Sequence, residues 1–259
     1  MKTPLNKCLA IVPARFASTR FPGKPLAMLG GRTVIERVAR QIEKAGIKCV
    51  VATDDSRIFN TVEELGLRAV MTDPNHKSGT DRIEEAANIL HTDAEIIINV
   101  QGDEPFIRPQ QILSLIECFD NPDIKIATLA KPFDSTRPFE ELDNPNLVKV
   151  VFDDRGKALY FSRSVIPYLR NIPKEEWPMR QSYFTHIGMY AYRKETLHEI
   201  TSLPQSSLEI AESLEQLRWL QSGYSIGVAK TSFDTVGIDT PEDLREAEKF
   251  LGNNKVLFD

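Results

Sequence analysis

The stretch IVPARFASTRFPGKPL, residues 11–26, places three cations, Arg15, Arg20 and Lys24, in a turn that follows a short apolar run and contains no acid. Cys8–Val12 reads as a buried strand that Pro13 ends. The residues around the cations are small or restricted in φ, which lets backbone N–H groups approach an anion. No acidic residue precedes Glu36, although the whole chain carries a formal net charge of -5, so positive charge is concentrated here against the general balance. A strand running into such a loop is the start of an α/β fold with a polyphosphate cradle. The same composition also fits a basic surface loop. Two better-known cradles are excluded, because the stretch lacks both the Walker spacing and a G-x-G-x-x-G after the strand.

Outward from this loop, short apolar runs alternate with amphipathic segments. Strands are expected at Lys48–Ala52, Arg68–Met71, Glu95–Val100 and Ile124–Ala130. Helical periodicity covers Thr33–Ala45, Ser56–Leu65, Thr80–Leu90 and Pro109–Phe119. This alternation predicts a mostly parallel sheet flanked by helices, a Rossmann-like α/β fold, with ligands beyond the carboxyl ends of the strands. Residues with unusual chemistry do follow strands: Arg15 after the first, Thr53-Asp54-Asp55 after the second, Gln101-Gly102-Asp103-Glu104 after the fourth. From Phe133 to Arg193 the rhythm breaks into Pro-rich and aromatic-rich text, with strands expected at Leu147–Phe152 and Ala158–Phe161 around an Asp153–Gly156 turn. We read residues 1–259 as one domain and residues 133–193 as an insertion that covers the site.

Composition narrows the class. With 41% hydrophobic and 27% charged residues the chain is an ordinary globular protein rather than a disordered one. An isoelectric point near 5.6 argues against nucleic acid as the partner. Cys8, Cys49 and Cys118 are far apart, which disfavours a disulfide framework or a thiolate metal site. No signal-peptide pattern and no apolar run of about 18 residues is visible, so a cytoplasmic protein without a membrane partner is expected.

Two carboxylates stand out. Asp103 follows the Glu95–Val100 strand, where Gly102 permits a sharp turn; a lone Asp there is also a common turn former. Asp239 precedes Thr240-Pro241-Glu242-Asp243, a helix start in which Thr240 already supplies the N-cap. Together, opposite a cationic loop, they would make a hard oxygen site for Mg²⁺ bridging protein and substrate phosphates.

At this point the chain resembles the 3-deoxy-manno-octulosonate (KDO) cytidylyltransferases, the CMP-KDO synthetases. The resemblance rests on eight blocks in order over nearly the whole chain: PARFASTRFPGKPL, VATDD, SGTDR (Ser78–Arg82), NVQGDEP (Asn99–Pro105), ALYFSRSVIP (Ala158–Pro167), HIGMYAYR (His186–Arg193), LEQLR (Leu214–Arg218) and GIDTPEDL (Gly237–Leu244). It implies a nucleotidyltransferase fold and an Mg²⁺-dependent enzyme. CTP and KDO would give CMP-KDO and pyrophosphate for lipopolysaccharide biosynthesis, with the anomeric hydroxyl attacking the α-phosphate.

By the same resemblance Arg15, Ser18, Arg20 and Lys24 hold the triphosphate, with Lys24 nearest the α-phosphate. Ser78, Arg82 and Gln101 join the nucleotide pocket, and Asp103 and Asp239 hold the metal. Sugar contacts would be Gln101, Arg163, His186, Tyr190, Glu215 and Gln216. Periodicity alone would not select the last two. On an expected helix Leu208–Gln221, with an apolar face of Ile210, Ala211, Leu214 and Leu217, they fall on polar flanks. A homodimer built through residues 133–193 is also implied, which would bury Phe161, Ile166, Tyr168, Trp177, Tyr183 and Phe184. The rival readings are a CMP-sialic acid synthetase, a sugar-1-phosphate nucleotidyltransferase, a cytidylyltransferase for 8-amino-KDO, and a catalytically silent nucleotide-sugar binding protein. The SGTDR, NVQGDEP and LEQLR blocks favour KDO over the first two. A silent protein would be expected to lack Lys24, Asp103 or Asp239.

Overall fold

The apolar run that opens the chain becomes a seven-residue strand, Cys8–Ala14 (β1), with Ala10, Ile11 and Val12 wholly buried. A computed structural model of the chain describes residues 2–18, 20–234 and 237–258. Its contacts separate into two compact units.

The first unit comprises Thr3–Leu113, Ala191–Thr201 and Thr235–Asp259. Here Lys48–Thr53 (β2), Arg68–Met71 (β3) and Ile96–Asn99 (β4) join β1 in a parallel ladder of order β4-β1-β2-β3. The register runs from Leu9 opposite Lys48 to Ala14 opposite Thr53, and from Cys8 opposite Ile96 to Ile11 opposite Asn99. The strands are continuous rather than alternating in hydrophobicity, as a sheet covered on both faces requires. Helices Val34–Lys44, Ser56–Glu64 and Gly79–Ile89 follow as expected, and each starts on a side-chain cap: Thr33, Asp55 and Ser78. The long helix Pro241–Phe258 buries Ala247, Leu251 and Phe258 with Leu29, Val34, Phe106 and Ile238.

The second unit comprises Met1–Lys2, Ser114–Tyr190 and Ser202–Asp234. It holds Ile126–Pro132 (β5), Lys149–Phe152 (β6), Ala158–Ser162 (β7), the start of Phe184–Arg193 (β8) and Ile226–Lys230 (β9). Strand β9 runs parallel to β5. Strands β6 and β7 form the expected hairpin, closed at Gly156, whose φ of 75° suits the turn, and β6 pairs antiparallel with β8 through Lys149 and Thr185. Sequence reading missed β8 and β9: β8 lies in the aromatic-rich text, and β9 is a run of only five residues, although the Ser222-Gly223 turn, with Gly223 at a φ of 88°, marks its approach.

Two expectations are corrected in this unit. The helix expected over Leu208–Gln221 is two short helices, Ser207–Glu212 and Gln216–Gln221, interrupted at Ser213, whose φ is 51°. The break rotates the faces: Ile210 is exposed, whereas Glu209 and Gln216 are buried. Trp177 and Tyr183, assigned to a subunit interface, are buried in the chain's own cluster with Phe139 and Leu142, and Phe161 is wholly buried as well. Leu159, Tyr168 and Met179 remain exposed.

Candidate active site

The cationic loop is anchored by its own aromatic residue. The Phe16 carbonyl accepts hydrogen bonds from Ser18 N and Gly23 N at 3.0 and 2.9 Å. Gly23 has a φ of 71°, and a Cβ there would lie 3.0 Å from the Phe16 ring, so only glycine closes the loop without strain. The Arg57 guanidinium lies 3.3 Å from the Phe16 ring centroid and is itself held by Asp55 at 2.9 and 2.7 Å. One turn of helix, Lys24–Leu26, then follows, with Lys24 at its first position after Gly23.

Gly102 does for the fourth strand what Gly23 does for the loop. A Cβ there would meet the Pro13 carbonyl oxygen at 2.9 Å, so the chain can turn against β1 only because this position is glycine. Asp103 is thereby presented beyond the strand ends. Its carbonyl accepts the Ile238 N–H at 2.9 Å, which brings the segment preceding Pro241 alongside. Thr240 and Asp243 form the reciprocal helix cap, Asp243 Oδ2 also accepts the Asp239 N–H, and the Asp239 carboxylate is left outward. Lys24 Nζ then lies 2.6 Å from Asp103 Oδ2 and 3.1 Å from Asp239 Oδ1, while Arg20 Nη2 lies 3.0 Å from Asp239 Oδ2.

Beside this cluster is a cavity of about 360 Å³, lined by Arg15, Ser18, Lys24, Lys77, Gly79, Gln101, Gly102 and Asp103 among others. That volume lies within the range of small-molecule sites. Arg15 Nη2 donates to the His76 carbonyl at 2.7 Å and so ties the cationic loop to the segment entering the third helix. Ser78 caps that helix in a capping box with Asp81, and Gly79 at its N-terminus faces the cavity, where the helix dipole favours anions.

The site residues expected from sequence are thus distributed unevenly. Arg15, Ser18, Lys24, Gln101 and Asp103 share the cavity, and Arg20 and Asp239 join them through ion pairs. Arg82 lies elsewhere: it is fully buried, donating to Thr72 Oγ1 at 2.5 Å and Asp54 Oδ2 at 2.9 Å. Asp54 and Asp55, conspicuous in sequence, serve Arg82 and the second helix. Arg163, His186, Tyr190, Glu215 and Gln216 belong to the second unit. Arg163 spends donors on the main-chain carbonyls of Glu212, Pro145 and Ser213. His186 Nε2 lies 2.9 Å from Thr128 Oγ1, a hydroxyl that itself donates to the Met189 carbonyl at 2.9 Å. This arrangement makes Nε2 the protonated nitrogen of a neutral ring, and burial pushes its pKa down to about 3. Gln216 Nε2 is buried with no hydrogen-bond partner among the described residues.

Sequence reading passed over two residues. Lys77 lines the cavity as a further cation; its signal was a lysine directly before the helix-capping Ser78, after the third strand. Glu104 Oε2 is buried without a hydrogen-bond partner among the described residues, and burial together with the neighbouring Asp103 charge raises its pKa to about 7.

The cytidylyltransferase family model matches residues 9–228. A 3-deoxy-manno-octulosonate cytidylyltransferase of Bacteroides thetaiotaomicron is 56% identical over 247 residues, covering 95% of this chain and 99% of its own. The chain belongs to that family. A second member, from Porphyromonas gingivalis, is 54% identical over 246 residues, covering 95% of this chain and 97% of its own. The solved structure of a CMP:2-keto-3-deoxy-manno-octonic acid synthetase complexed with CTP superposes with a TM-score of 0.87 at 39% identity, over 95% of this chain and 99% of that one. A glucose-1-phosphate thymidylyltransferase from Bacillus anthracis, at 14% identity and a TM-score of 0.65, shares the fold alone. The mostly parallel, helix-flanked nucleotidyltransferase fold expected from the sequence is therefore the fold of the family.

Proposed function

We propose that the chain transfers the cytidylyl group of CTP to KDO: the anomeric hydroxyl forms a new bond to the α-phosphorus, the bond to the bridging oxygen breaks, and pyrophosphate leaves. The observation that carries this reading is the Lys24–Asp103–Asp239 cluster at the edge of a cationic cavity, in a chain of this family. Arg15, Arg20, Lys24 and Ser18 hold the triphosphate and balance its charge, and Ser78 and Gln101 complete the nucleotide pocket. Such a reaction asks the protein mainly to align nucleophile with leaving group and to neutralise charge. KDO recognition is assigned to Gln101, Arg163, His186, Tyr190, Glu215 and Gln216, with neutral His186 serving as a hydrogen-bonding group rather than a cation. Arg82 acts at a distance, by holding Asp54 and Thr72.

The donor set fits a hard divalent cation. Two carboxylates, Asp103 and Asp239, already share one cation, the Lys24 ammonium, within hydrogen-bonding distance of both. Among the described residues no three His, Cys, Asp or Glu side chains cluster as a metal site, so substrate oxygens and water would complete the shell of Mg²⁺. When bound there, Mg²⁺ would supply charge to the reacting oxygens and lower the pKa of the attacking hydroxyl.

The enzyme is further proposed to act in the cytoplasm as a homodimer, its product serving lipopolysaccharide assembly. Among the described residues no helix is long and apolar enough to cross a membrane. Cys8, Cys49 and Cys118 are free thiols, which burial pushes up to about 11, 12 and 11, so they stay protonated at neutral pH. The deciding experiment supplies CTP, Mg²⁺ and, in turn, KDO, 8-amino-KDO and N-acetylneuraminate, and follows pyrophosphate release. Release is expected with KDO and to cease with chelator; equal turnover of N-acetylneuraminate, or turnover undiminished by chelator, overturns the reading.

A further inference from the structure

We propose that Lys24 couples divalent-metal binding to nucleotide binding, by occupying the cation position between Asp103 and Asp239 until a triphosphate draws its ammonium away. The proposal rests on the metal assignment made above and deepens it. The ammonium lies 2.6 Å from Asp103 Oδ2 and 3.1 Å from Asp239 Oδ1, and the Lys24 side chain is only 12% exposed. A divalent ion with oxygens at about 2.1 Å from both carboxylates would need the same space. Two like charges in contact at a half-buried site repel strongly, so ion and ammonium exclude one another. Neither carboxylate pair nor ammonium gains from simple loss of the other, because a partly buried charge left unpaired is destabilising. Lys24 also lines the cavity. A triphosphate there offers the ammonium a new anionic partner and frees the two carboxylates in the same step. Arg20, 3.0 Å from Asp239 Oδ2, is two-thirds exposed and can follow the same charge outward. Metal and nucleotide then bind with positive coupling, which is reciprocal.

The test is Mn²⁺ binding without and then with CTP, corrected for Mn²⁺ bound by CTP alone and read from the free-ion electron paramagnetic resonance signal, for the full chain and its Lys24→Met and Lys24→Gln variants. Both variants remove the charge and keep the stem. Without CTP the unaltered chain is expected to bind Mn²⁺ weakly and at least one variant about tenfold more tightly, a gain abolished by adding Asp103→Asn. No gain in either folded variant, or a gain that survives Asp103→Asn, overturns the coupling. A chain whose Mn²⁺ binding, with and without CTP and in every variant, is insensitive to Asp103→Asn would instead remove the metal assignment, and the coupling with it.

Discussion

Lys77 and His186 show how differently two nitrogen-bearing side chains can be used. Lys77 lines the cavity and makes no hydrogen bond or ion pair with other described residues, so its charge is available to a ligand. Replacing it with Met should raise KM for CTP up to about tenfold, or ~1.4 kcal/mol, with kcat within about twofold, since a contact made equally in ground and transition states alters KM alone. Steady-state kinetics decide; an unchanged KM would make Lys77 a solvated surface charge. His186 is buried and neutral, its pKa pushed down to about 3 from an ordinary 6.5. Below pH 6.5 the unfolded chain takes up a proton that the folded chain refuses. Its contribution to stability is therefore intact above pH 6.5 and lost as pH falls toward 3, by up to about 1.4 kcal/mol per pH unit. Unfolding free energies measured from pH 7 to pH 4 should fall more steeply for the unaltered chain than for His186→Gln; parallel curves would show that the ring is not titrating in this way.

At the scale of elements, Ser213 marks the break between the helices Ser207–Glu212 and Gln216–Gln221. Its φ of 51° is one that side-chain-bearing residues adopt at some strain, and its carbonyl accepts from Arg163 Nη2 at 3.3 Å. Ser213→Gly should relieve the strain and stabilise the chain by about 0.5–1 kcal/mol, raising Tm by roughly 1–4 °C. Ser213→Val should lower it. A fall in Tm for the glycine variant would mean that the serine side chain outweighs the strain. The start of the helix at Pro241 was legible in the sequence, because Thr240 precedes it as a cap of known chemistry, whereas Thr33, Asp55 and Ser78 were established as caps by the structure. The break at Ser213 was not legible, because serine gives no local signal for a left-handed conformation that the surrounding packing imposes.

At the scale of the whole molecule, the aromatic text of residues 133–193 has two destinations. Phe161, Trp177 and Tyr183 are buried within their own unit, whereas Leu159, Tyr168 and Met179 are exposed. The exposed apolar residues support the proposed homodimer. Sedimentation equilibrium at micromolar protein should give twice the 29.3 kDa chain mass. Replacing Leu159 and Met179 together with Glu should shift the population toward the single chain, and a single-chain mass for the unaltered protein would leave these residues as plain surface.

Sequence alone determined the strand–helix alternation of the first unit, since the period of apolar residues and the capping chemistry are local properties. It also singled out Arg15, Lys24, Asp103 and Asp239, because cations without acids after one strand, and a spare carboxylate before an already capped helix, are unusual at short range. Which groups meet was left to the tertiary structure. Asp103 and Asp239 are 136 positions apart, and they converge because the Asp103 carbonyl takes the Ile238 N–H and Gly102 lets the chain turn against Pro13. The same long-range packing buried Arg82 against Asp54, gave Lys77 to the cavity and neutralised His186. Burial and pairing depend on residues far away in sequence, and no local pattern encodes them.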